Sequence, residues 1–278
     1  MPVGYFITSH HNNGPSPMTD DLALTHLLSL LPSTPLRAAS VKLTQHSVSD
    51  GRVLCTLPRA AFAPQSARRF IEVSEAFTGI SCSALLPVLP QCEMFHFGID
   101  PQGGGGCDAN PAPVRKVYAE LFTPDSADPN PALNYLALKI SHGRSLLTNY
   151  RNHPMQDRDA ALALMAALKL PHFLHSATEA FMFWLVDQTI KPDVLDVVEH
   201  GSTRRSIDIN FSDHPLTNQG LALVYDVLTD LRPSDAGLAD FLCAPISHLA
   251  IGTSAKGQAF ITLYGFPILP ANQRRANA

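Results

Sequence analysis

The chain has 278 residues, of which 45% are hydrophobic, so it can bury a large core in one big domain or two small ones. A net charge of -4 without a basic cluster argues against nucleic-acid binding. The N-terminus lacks the basic segment of a signal peptide, and the most apolar helix candidate, over 173–186, is too short to span a bilayer. The five cysteines are scattered without CxxC spacing, which is typical of a reducing cytoplasm. We therefore expect a cytoplasmic globular protein with no membrane or nucleic-acid partner.

The first part of the chain predicts a helix, a hairpin and a second helix. Leucine spacing over 20–31 with a proline behind it predicts the first helix. Two strands are predicted over 39–46 and 51–57, joined by the turn signal Ser-Val-Ser-Asp-Gly at 47–51. Helical spacing returns over 64–77, with a proline in the first turn. The order of these elements is αββα.

A strand pair near the middle of the chain carries the most polar chemistry. Its strands are predicted over 95–100 and 114–122, with a Gly- and Pro-rich loop between them. Because alternate residues of a strand share a face, Lys116, Tyr118 and Glu120 point the same way. A cation and a phenol are thus directed at whatever the sheet encloses.

The second half repeats the order of helix and hairpin. A strand is predicted over 135–141, helices over 157–168, 175–187 and 216–231, and hairpins over 194–199 with 204–211 and over 246–253 with 258–266. Repeated antiparallel hairpins leave exposed edges unless the sheet closes, and helices must cover one face. A closed barrel of about ten antiparallel strands meets both demands and leaves a lumen wide enough for a ligand. A doubly wound sheet is disfavoured, because parallel strands do not come as hairpins.

Basic and tyrosine side chains recur on several predicted strands. The polar strand residues are Arg52, Lys116, Tyr118, Arg204, Asp208 and Tyr264. Cations from several hairpins with tyrosines between them suit a polyanion such as a diphosphate. For any single position, a solvent-facing place on a half-wet sheet is an equally good interpretation. Their coincidence on three hairpins favours the lumen.

Other motifs predict less. The glycines at 103–106 lie between two strands instead of before a helix, so they predict a hairpin loop and not a phosphate loop. His172 and His175 have no evident acidic partner, so no metal site is predicted there. His96 either faces the lumen or packs in the core.

The order of elements and several strand sequences resemble the ABBA-fold prenyltransferases, most closely the cyanobactin-type peptide prenyltransferases. The similar segments are 98–100, 115–118, 196–210, 247–257 and 261–264. The resemblance implies an α+β fold in which repeated αββα units build a central barrel with an outer ring of helices. It also implies one domain over 19–270 with flexible tails at 1–18 and 271–278.

The resemblance further implies prenyl transfer to a ribosomally synthesised peptide. The isoprenoid diphosphate would lie against Arg52, Lys116, Tyr118, Arg204 and Tyr264, with Mg²⁺ assisting its departure. These groups would stabilise the leaving diphosphate while an allylic cation forms, and aromatic side chains would shield that cation from water. The implied partners are geranyl or dimethylallyl diphosphate and a linear or macrocyclic peptide, bound by a monomer.

Three positions bear on the chemistry beyond diphosphate binding. Lys42 stands where the family carries a first-strand glutamate, and a protonated lysine cannot accept a hydrogen bond from the acceptor. Either a nearby acid substitutes, or the acceptor differs, or the activity has been lost. Glu120 stands where a further cation is expected, and Asp208 joins Lys42 and Glu120 as a candidate catalytic group. Ala250 occupies the position where a bulky aromatic would restrict the donor to five carbons, which predicts geranyl instead of dimethylallyl.

Two other functions stay open at this point. A prenyltransferase acting on a small aromatic would share the fold but have a more closed barrel mouth. A non-catalytic carrier of a hydrophobic ligand would explain the absence of the first-strand glutamate.

Overall fold

The computed structural model describes residues 18–44, 47–101, 113–121, 133–153, 158–168, 170–190, 192–216, 241 and 244–265. Its helices in these ranges are α1 (Met18–Leu30), α2 (Ser66–Thr78), α3 (Arg158–Ala167) and α4 (His172–Asp187). Its strands are β1 (Leu36–Thr44), β2 (Ser47–Pro58), β3 (Cys92–Asp100), β4 (Val114–Leu121), β5 (Leu133–Ser141), β6 (Arg144–His153), β7 (Asp193–Glu199), β8 (Arg205–Asn210), β9 (Ile246–Thr253) and β10 (Ala259–Gly265).

The strands form a closed barrel in which each strand is antiparallel to both neighbours. Going around it, the order is β1-β10-β9-β8-β7-β6-β5-β4-β3-β2, so the sheet closes where β1 pairs with β10. Five sequential hairpins therefore supply the whole wall, and closure removes the exposed edges. The predicted barrel of about ten antiparallel strands is confirmed.

Strand β6 is the element that the sequence prediction missed. Its sequence, Arg-Ser-Leu-Leu-Thr-Asn-Tyr-Arg-Asn-His, has no clean alternation of apolar and polar residues. The structure pairs it with β5 through a turn at His142 and Gly143, whose φ angles are 52° and 70°. A two-residue loop with both φ angles positive matches the twist of a hairpin. The His-Gly pair was the available signal.

The turn predicted at 47–51 is wrong, because these residues already belong to β2. Opposite Val41 of β1, the β2 strand carries both Asp50 and Gly51, so the register shifts by one residue. Gly51 has a φ of 67°, as the extra residue of a bulge requires. The Asp-Gly pair therefore bends the strand, and Arg52 lies several residues inside β2 instead of at its start.

The helices differ from prediction mainly at their ends. Helix α4 begins three residues earlier than expected, directly after the extended Pro171, and α2 begins at Ser66, after Pro64. The helix predicted over 216–231 lies outside the described residues except for Leu216, whose backbone pairs with Ile246. The predicted tails also lie outside them, apart from Met18. In the described part of the chain, no helix is long and apolar enough to cross a membrane.

Two hydrophobic clusters lie between the helices and the outer face of the barrel. One joins α1 and α2 to β2–β5, with the Phe70 ring stacked 3.9 Å from the Phe95 ring. The other joins α3 and α4 to β7–β10 and β1, where Phe181 meets Phe211. Since alternate strand residues supply these apolar clusters, the residues between them face the lumen. The polar side chains of the strands are concentrated there.

Candidate active site

The lumen has two distinguishable ends. The turn end lies where the two strands of each hairpin lead into each other, and the helix end lies where α2 leads from β2 to β3 and α3 and α4 lead from β6 to β7. At the turn end is a group that we call the cation cluster: Lys42, Arg52, Lys116, Lys139 and Arg204, with the carboxylates Asp100 and Glu199. Four strands, β1, β2, β4 and β5, supply one cation each, and the fifth, Arg204, directly precedes β8.

Asp100 ties one side of the cation cluster together. Its Oδ2 lies 3.1 Å from Nε of Arg52, and its Oδ1 accepts a hydrogen bond from the Ser49 hydroxyl at 3.2 Å. Burial alone would raise the pKa of Asp100, but Arg52, Lys116 and Lys42 hold that pKa below its ordinary value. Asp100 is therefore ionised and anchors Arg52 from the neighbouring strand.

Glu199 holds two other cations of the cluster, Lys139 and Arg204, in position. Nζ of Lys139 donates to its Oε1 at 3.1 Å, and Nη1 of Arg204 lies 3.6 Å from the same atom. Burial opposes ionisation here too, but the two cations lower the pKa of Glu199. Arg204 and Lys42 also lie over the Phe260 ring, at 5.1 and 4.7 Å from its centroid.

The cation cluster has more positive than negative charge. With five basic groups and two carboxylates, it carries a net charge of three when fully ionised. Burial, followed by Arg204 and Arg52, lowers the pKa of Lys42 to about 7. Burial and the same two arginines lower the pKa of Lys116 well below its ordinary value. A bound polyanion would reverse both shifts.

Three tyrosines, Tyr118, Tyr150 and Tyr264, form a layer directly above the cation cluster. Tyr118 and Tyr150 have ring centroids 5.9 Å apart and are joined by a hydrogen bond between their hydroxyls. Burial opposes the charge on Arg52, but the carboxylate of Asp100 and a hydrogen bond with Tyr264 hold the pKa of Arg52 above its usual value. Burial raises the pKa of all three phenols. They therefore keep their protons and can donate them to an anion.

A cavity of about 120 Å³ opens beyond this layer, toward the helix end. Its lining residues are Leu54, His96, Tyr118, Tyr135, Tyr150, Leu195, Asp208, Asn210, His248 and Tyr264. The cavity thus has aromatic and aliphatic walls with a few convergent polar groups, the usual composition of a small-molecule site.

Glu120 lies at the helix end, in a fully matched hydrogen-bond network. His96 Nε2 donates to its Oε2 at 2.7 Å, and the Tyr135 hydroxyl donates to its Oε1 at 3.1 Å. Thr56 Oγ1 lies 2.8 Å from His96 Nδ1 and so orients the ring. Burial would raise the pKa of Glu120, but the bonds from His96 and Tyr135 lower it. This carboxylate is held as an anion.

Asp208 is the carboxylate that lines the cavity, and its hydrogen-bonding capacity is not fully used. It is 9% exposed, and its Oδ1 has no hydrogen-bond partner among the described residues. Burial raises the pKa of Asp208, opposed only by His248. The His248 ring stacks on the Tyr264 ring at 4.2 Å, and its Nδ1 lies 2.9 Å from the Ser247 hydroxyl. Burial lowers the pKa of His248.

The structure brings the predicted diphosphate-binding residues together. Arg52, Lys116 and Arg204 lie at the turn end, and Tyr118 and Tyr264 lie in the layer above. Of the predicted catalytic residues, Lys42 lies in the cation cluster, Glu120 lies at the helix end, and Asp208 lines the cavity. Ala250 is in the lumen wall, paired with Asp208 on one side and Thr262 on the other. Their roles stay predictions.

Several lumen residues were missed or left unassigned by sequence reasoning. They are Asp100, Tyr135, Lys139, Tyr150, Glu199 and His248. Asp100 could have been found, since it shares the alternating face of His96 on β3. Lys139 and Tyr135 share one face of β5 in the same way. Tyr150 was missed because β6 was not predicted, although the His-Gly turn before this strand was a signal for it.

The carboxylates of the turn end do not form a magnesium site. Among the described residues, no group of three or more His, Cys, Asp and Glu side chains could hold a metal ion. Asp100 and Glu199 are each engaged with cations, which would repel a divalent ion. The protein residues therefore do not fit a protein-held Mg²⁺, and the predicted assistance by Mg²⁺ stays a prediction.

The closed barrel with its polar lumen has the ABBA prenyltransferase barrel fold. Among solved structures it is similar to AnaPT from Neosartorya fischeri, an ABBA-fold prenyltransferase, with a TM-score of 0.53 and 13% sequence identity over 84% of this chain and 78% of that chain. At this identity the likeness shows the fold, as predicted. No protein-family model and no curated protein sequence matches the chain. The resemblance to the cyanobactin-type enzymes stays a prediction.

Proposed function

We propose that this protein is a prenyltransferase that moves an isoprenoid group from its diphosphate to an acceptor. The cation cluster carries this proposal: buried and half-buried basic groups from four of the five hairpins converge on one end of a lumen and exceed the carboxylates that neutralise them. Nε of Arg204 is buried without a hydrogen-bond partner among the described residues, so a donor is left for an anion. A diphosphate supplies the matching charge and acceptor oxygens.

The order of layers along the lumen suits the reaction. A diphosphate at the turn end would direct its isoprenoid chain past the tyrosine layer into the cavity. The cations and phenols would stabilise the leaving diphosphate. Tyr118, Tyr150 and Tyr264 would surround the carbon that becomes cationic, exclude water and stabilise the positive charge with their ring faces.

The donor in this proposal is geranyl diphosphate, because Ala250 puts only a methyl group into the wall. It lies on β9 in register with Asp208 of β8 and Thr262 of β10. Replacing it with Val, Leu and Phe in a series should progressively favour dimethylallyl diphosphate. For the Phe variant, we expect the ratio of the kcat/KM values for geranyl and dimethylallyl diphosphate to change by about 10-fold or more. Extra carbon atoms in an apolar pocket discriminate against the longer of two substrates by about this factor. A flat series would contradict the geranyl proposal.

The acceptor in this proposal is a side chain of a ribosomal peptide, as the cyanobactin-type resemblance implies. Mass spectrometry of linear and cyclic peptides incubated with geranyl or dimethylallyl diphosphate tests the function directly. A mass increase that is lost in Arg52→Ala and Lys116→Ala supports the proposal. Alkylation of small aromatics but not of peptides would instead favour the small-aromatic enzyme, and binding of the donor without turnover would favour the carrier.

We propose that Mg²⁺ assists only as a counter-ion carried on the diphosphate oxygens. Magnesium commonly reaches proteins in this way, with substrate phosphates among its ligands. The cation cluster would then supply most of the charge that stabilises the leaving group.

A further inference from the structure

We propose that Asp208 takes up the proton that the prenylated substrate loses when it is alkylated. That substrate is therefore a neutral nucleophile bearing a proton, such as a phenol, an alcohol or an indole N–H. The inference rests on the proposed prenyl transfer and adds the group that removes the proton from the alkylated substrate. Asp208 lies in β8, which β9 and β10 separate from the first strand, where Lys42 stands.

The position of Asp208 is the first argument. It lines the cavity with Tyr118, Tyr150 and Tyr264, so an acceptor beside the tyrosine layer would be beside Asp208 as well. The diphosphate is expected at the turn end, which places Asp208 on the far side of the reacting carbon. A base there can take a proton from an attacking group without meeting the leaving group.

The unmatched oxygen is the second argument. Oδ1 of Asp208 is buried and receives no hydrogen bond from the described residues, although buried polar atoms are nearly always paired. A hydroxyl or N–H of the acceptor would provide that bond and be held in place by it. The raised pKa of this carboxyl group also makes it a better base than an ordinary aspartate.

Comparison with Glu120 is the third argument, because this carboxylate is bonded to two residues that line the cavity, His96 and Tyr135. Both of its oxygens already accept hydrogen bonds, from His96 and from Tyr135. To act as a base, Glu120 would have to give up one of these bonds, and its lowered pKa makes it a weak proton acceptor. Asp208 has neither obstacle.

The proposed step balances as follows. The bond between C1 of the donor and the diphosphate oxygen breaks, and its electron pair leaves with the diphosphate. The acceptor forms a bond to C1, and the proton of the acceptor passes to Oδ1 of Asp208, which becomes a neutral carboxylic acid. After the product leaves, Asp208 returns this proton to solvent. His248, whose lowered pKa favours the neutral ring, lies near Asp208 and does not compete as a proton source.

The test compares nucleophiles that do and do not carry a proton. Wild-type protein and Asp208→Asn are given geranyl diphosphate with sodium azide, or with linear and cyclic peptides in which Tyr, Trp or Ser is the sole nucleophilic side chain. Azide is an anion and loses no proton when it attacks. We expect Asp208→Asn to lower kcat/KM for the peptide by about 10²-fold or more while the rate of geranyl azide formation changes by less than about 3-fold.

Two matched variants complete the design. Asp196→Asn alters a carboxylate on the adjacent strand β7, in register with Ile207 and facing away from the lumen, and should leave both rates unchanged. Glu120→Gln should not separate the two nucleophiles. Thermal unfolding checks that each variant folds, and Asp208→Ser replaces Asp208→Asn should the latter fail to fold.

The outcomes separate this proposal from the proposed function. Equal losses with azide and peptide in Asp208→Asn, or the split appearing in Glu120→Gln instead, would overturn the role of Asp208. Wild-type protein that forms geranyl azide but alkylates none of these peptides would also overturn it, while leaving donor activation intact. If wild-type protein neither alkylates a peptide nor forms the azide with either geranyl or dimethylallyl diphosphate, the proposed function itself is wrong.

Discussion

The turn end and the helix end of the lumen differ in how their charges are matched. At the turn end, positive charge is in excess, and the two carboxylates only hold the cations in position. Toward the helix end, both oxygens of Glu120 accept hydrogen bonds, whereas Asp208 is buried and its Oδ1 has no partner among the described residues. The first end is prepared for an anion, and the second is prepared for a hydrogen-bond donor.

This difference shows how one barrel can separate two tasks that interfere with each other. A general base placed among five cations would have its pKa lowered, as happens to Asp100 and Glu199, and would be a weak base. Asp208 lies among the tyrosines of the cavity, and burial raises its pKa with only His248 opposing. Lys42 fits this division, because it lies with the other cations at the turn end.

The largest effect should come from removing one lumen cation. Lys116→Met keeps most of the apolar stem and deletes the charge, so we expect kcat/KM for the isoprenoid donor to fall about 10²- to 10³-fold, as for loss of one preorganised electrostatic donor. Lys256→Met is the matched control, since Lys256 lies exposed in the turn between β9 and β10. Steady-state rates of diphosphate release measure both. An equal effect of the two variants would mean that the cation cluster does not bind the donor.

Local sequence patterns were sufficient to predict the closed barrel and some of the residues that face its lumen. Hairpin signals and helix spacing predicted the closed sheet, and strand alternation placed Lys116, Tyr118 and Glu120 on one face. Pairs such as Lys139 with Glu199, which join positions 60 residues apart, depend on the register between strands, and a single sequence does not contain it.

The sequence also does not show which carboxylates have hydrogen-bond partners. In the sequence, Glu120 and Asp208 are both single acidic residues on predicted strands. The structure places His96 and Tyr135 beside Glu120, where they donate hydrogen bonds to it, but not in hydrogen-bonding contact with Oδ1 of Asp208. Likewise, the Asp-Gly pair at 50–51 reads as a turn, but the pairing of β1 with β2 places it inside a strand as a bulge.

A second large effect, on the stability of the fold, should follow from adding a side chain where β8 and β9 pack closely near the turn end. Gly252 of β9 lies against β8, and a Cβ there would collide with the carbonyl oxygen of Arg205 and with Ser206. We expect Gly252→Ala to lower the free energy of unfolding by about 1–3 kcal/mol, as overpacking does. Gly98→Ala is the control, because its Cβ would make only ordinary contacts, the nearest at 3.4 Å from Lys116. Urea unfolding should separate the two variants, and equal stabilities would contradict the close packing.

A smaller effect should appear in the protons taken up when an anion binds. The pKa of Lys42 is lowered to about 7 in the folded protein, so at pH 8 this amine is mostly neutral before binding. An anion beside it would raise that pKa and draw a proton from solvent. Without a ligand, the folded state binds fewer protons at Lys42 than the unfolded state between pH 7 and about 10.4, so Lys42 makes stability rise with pH in that window.

Calorimetry measures this proton uptake directly. Titrating inorganic diphosphate at pH 8 in two buffers of different ionisation enthalpy should show greater proton uptake by wild-type protein than by Lys42→Met. Because the ionisation of the diphosphate itself is common to both proteins, the difference reports the lysine. Identical uptake would show that Lys42 does not face the bound anion, and would remove it from the cation cluster.

The smallest effect should follow removal of magnesium. Five basic side chains already surround the expected position of the diphosphate, and both carboxylates of that end are paired with them. If Mg²⁺ is carried only on the diphosphate oxygens, EDTA should raise KM for the donor and lower kcat by less than about 10-fold, since the fixed cations continue to stabilise the leaving group. In Lys116→Met the dependence on Mg²⁺ should become steeper, because the metal then replaces a lost charge. Complete loss of turnover in EDTA would instead require a magnesium site built by the protein, at odds with carboxylates that are bound to lysine and arginine.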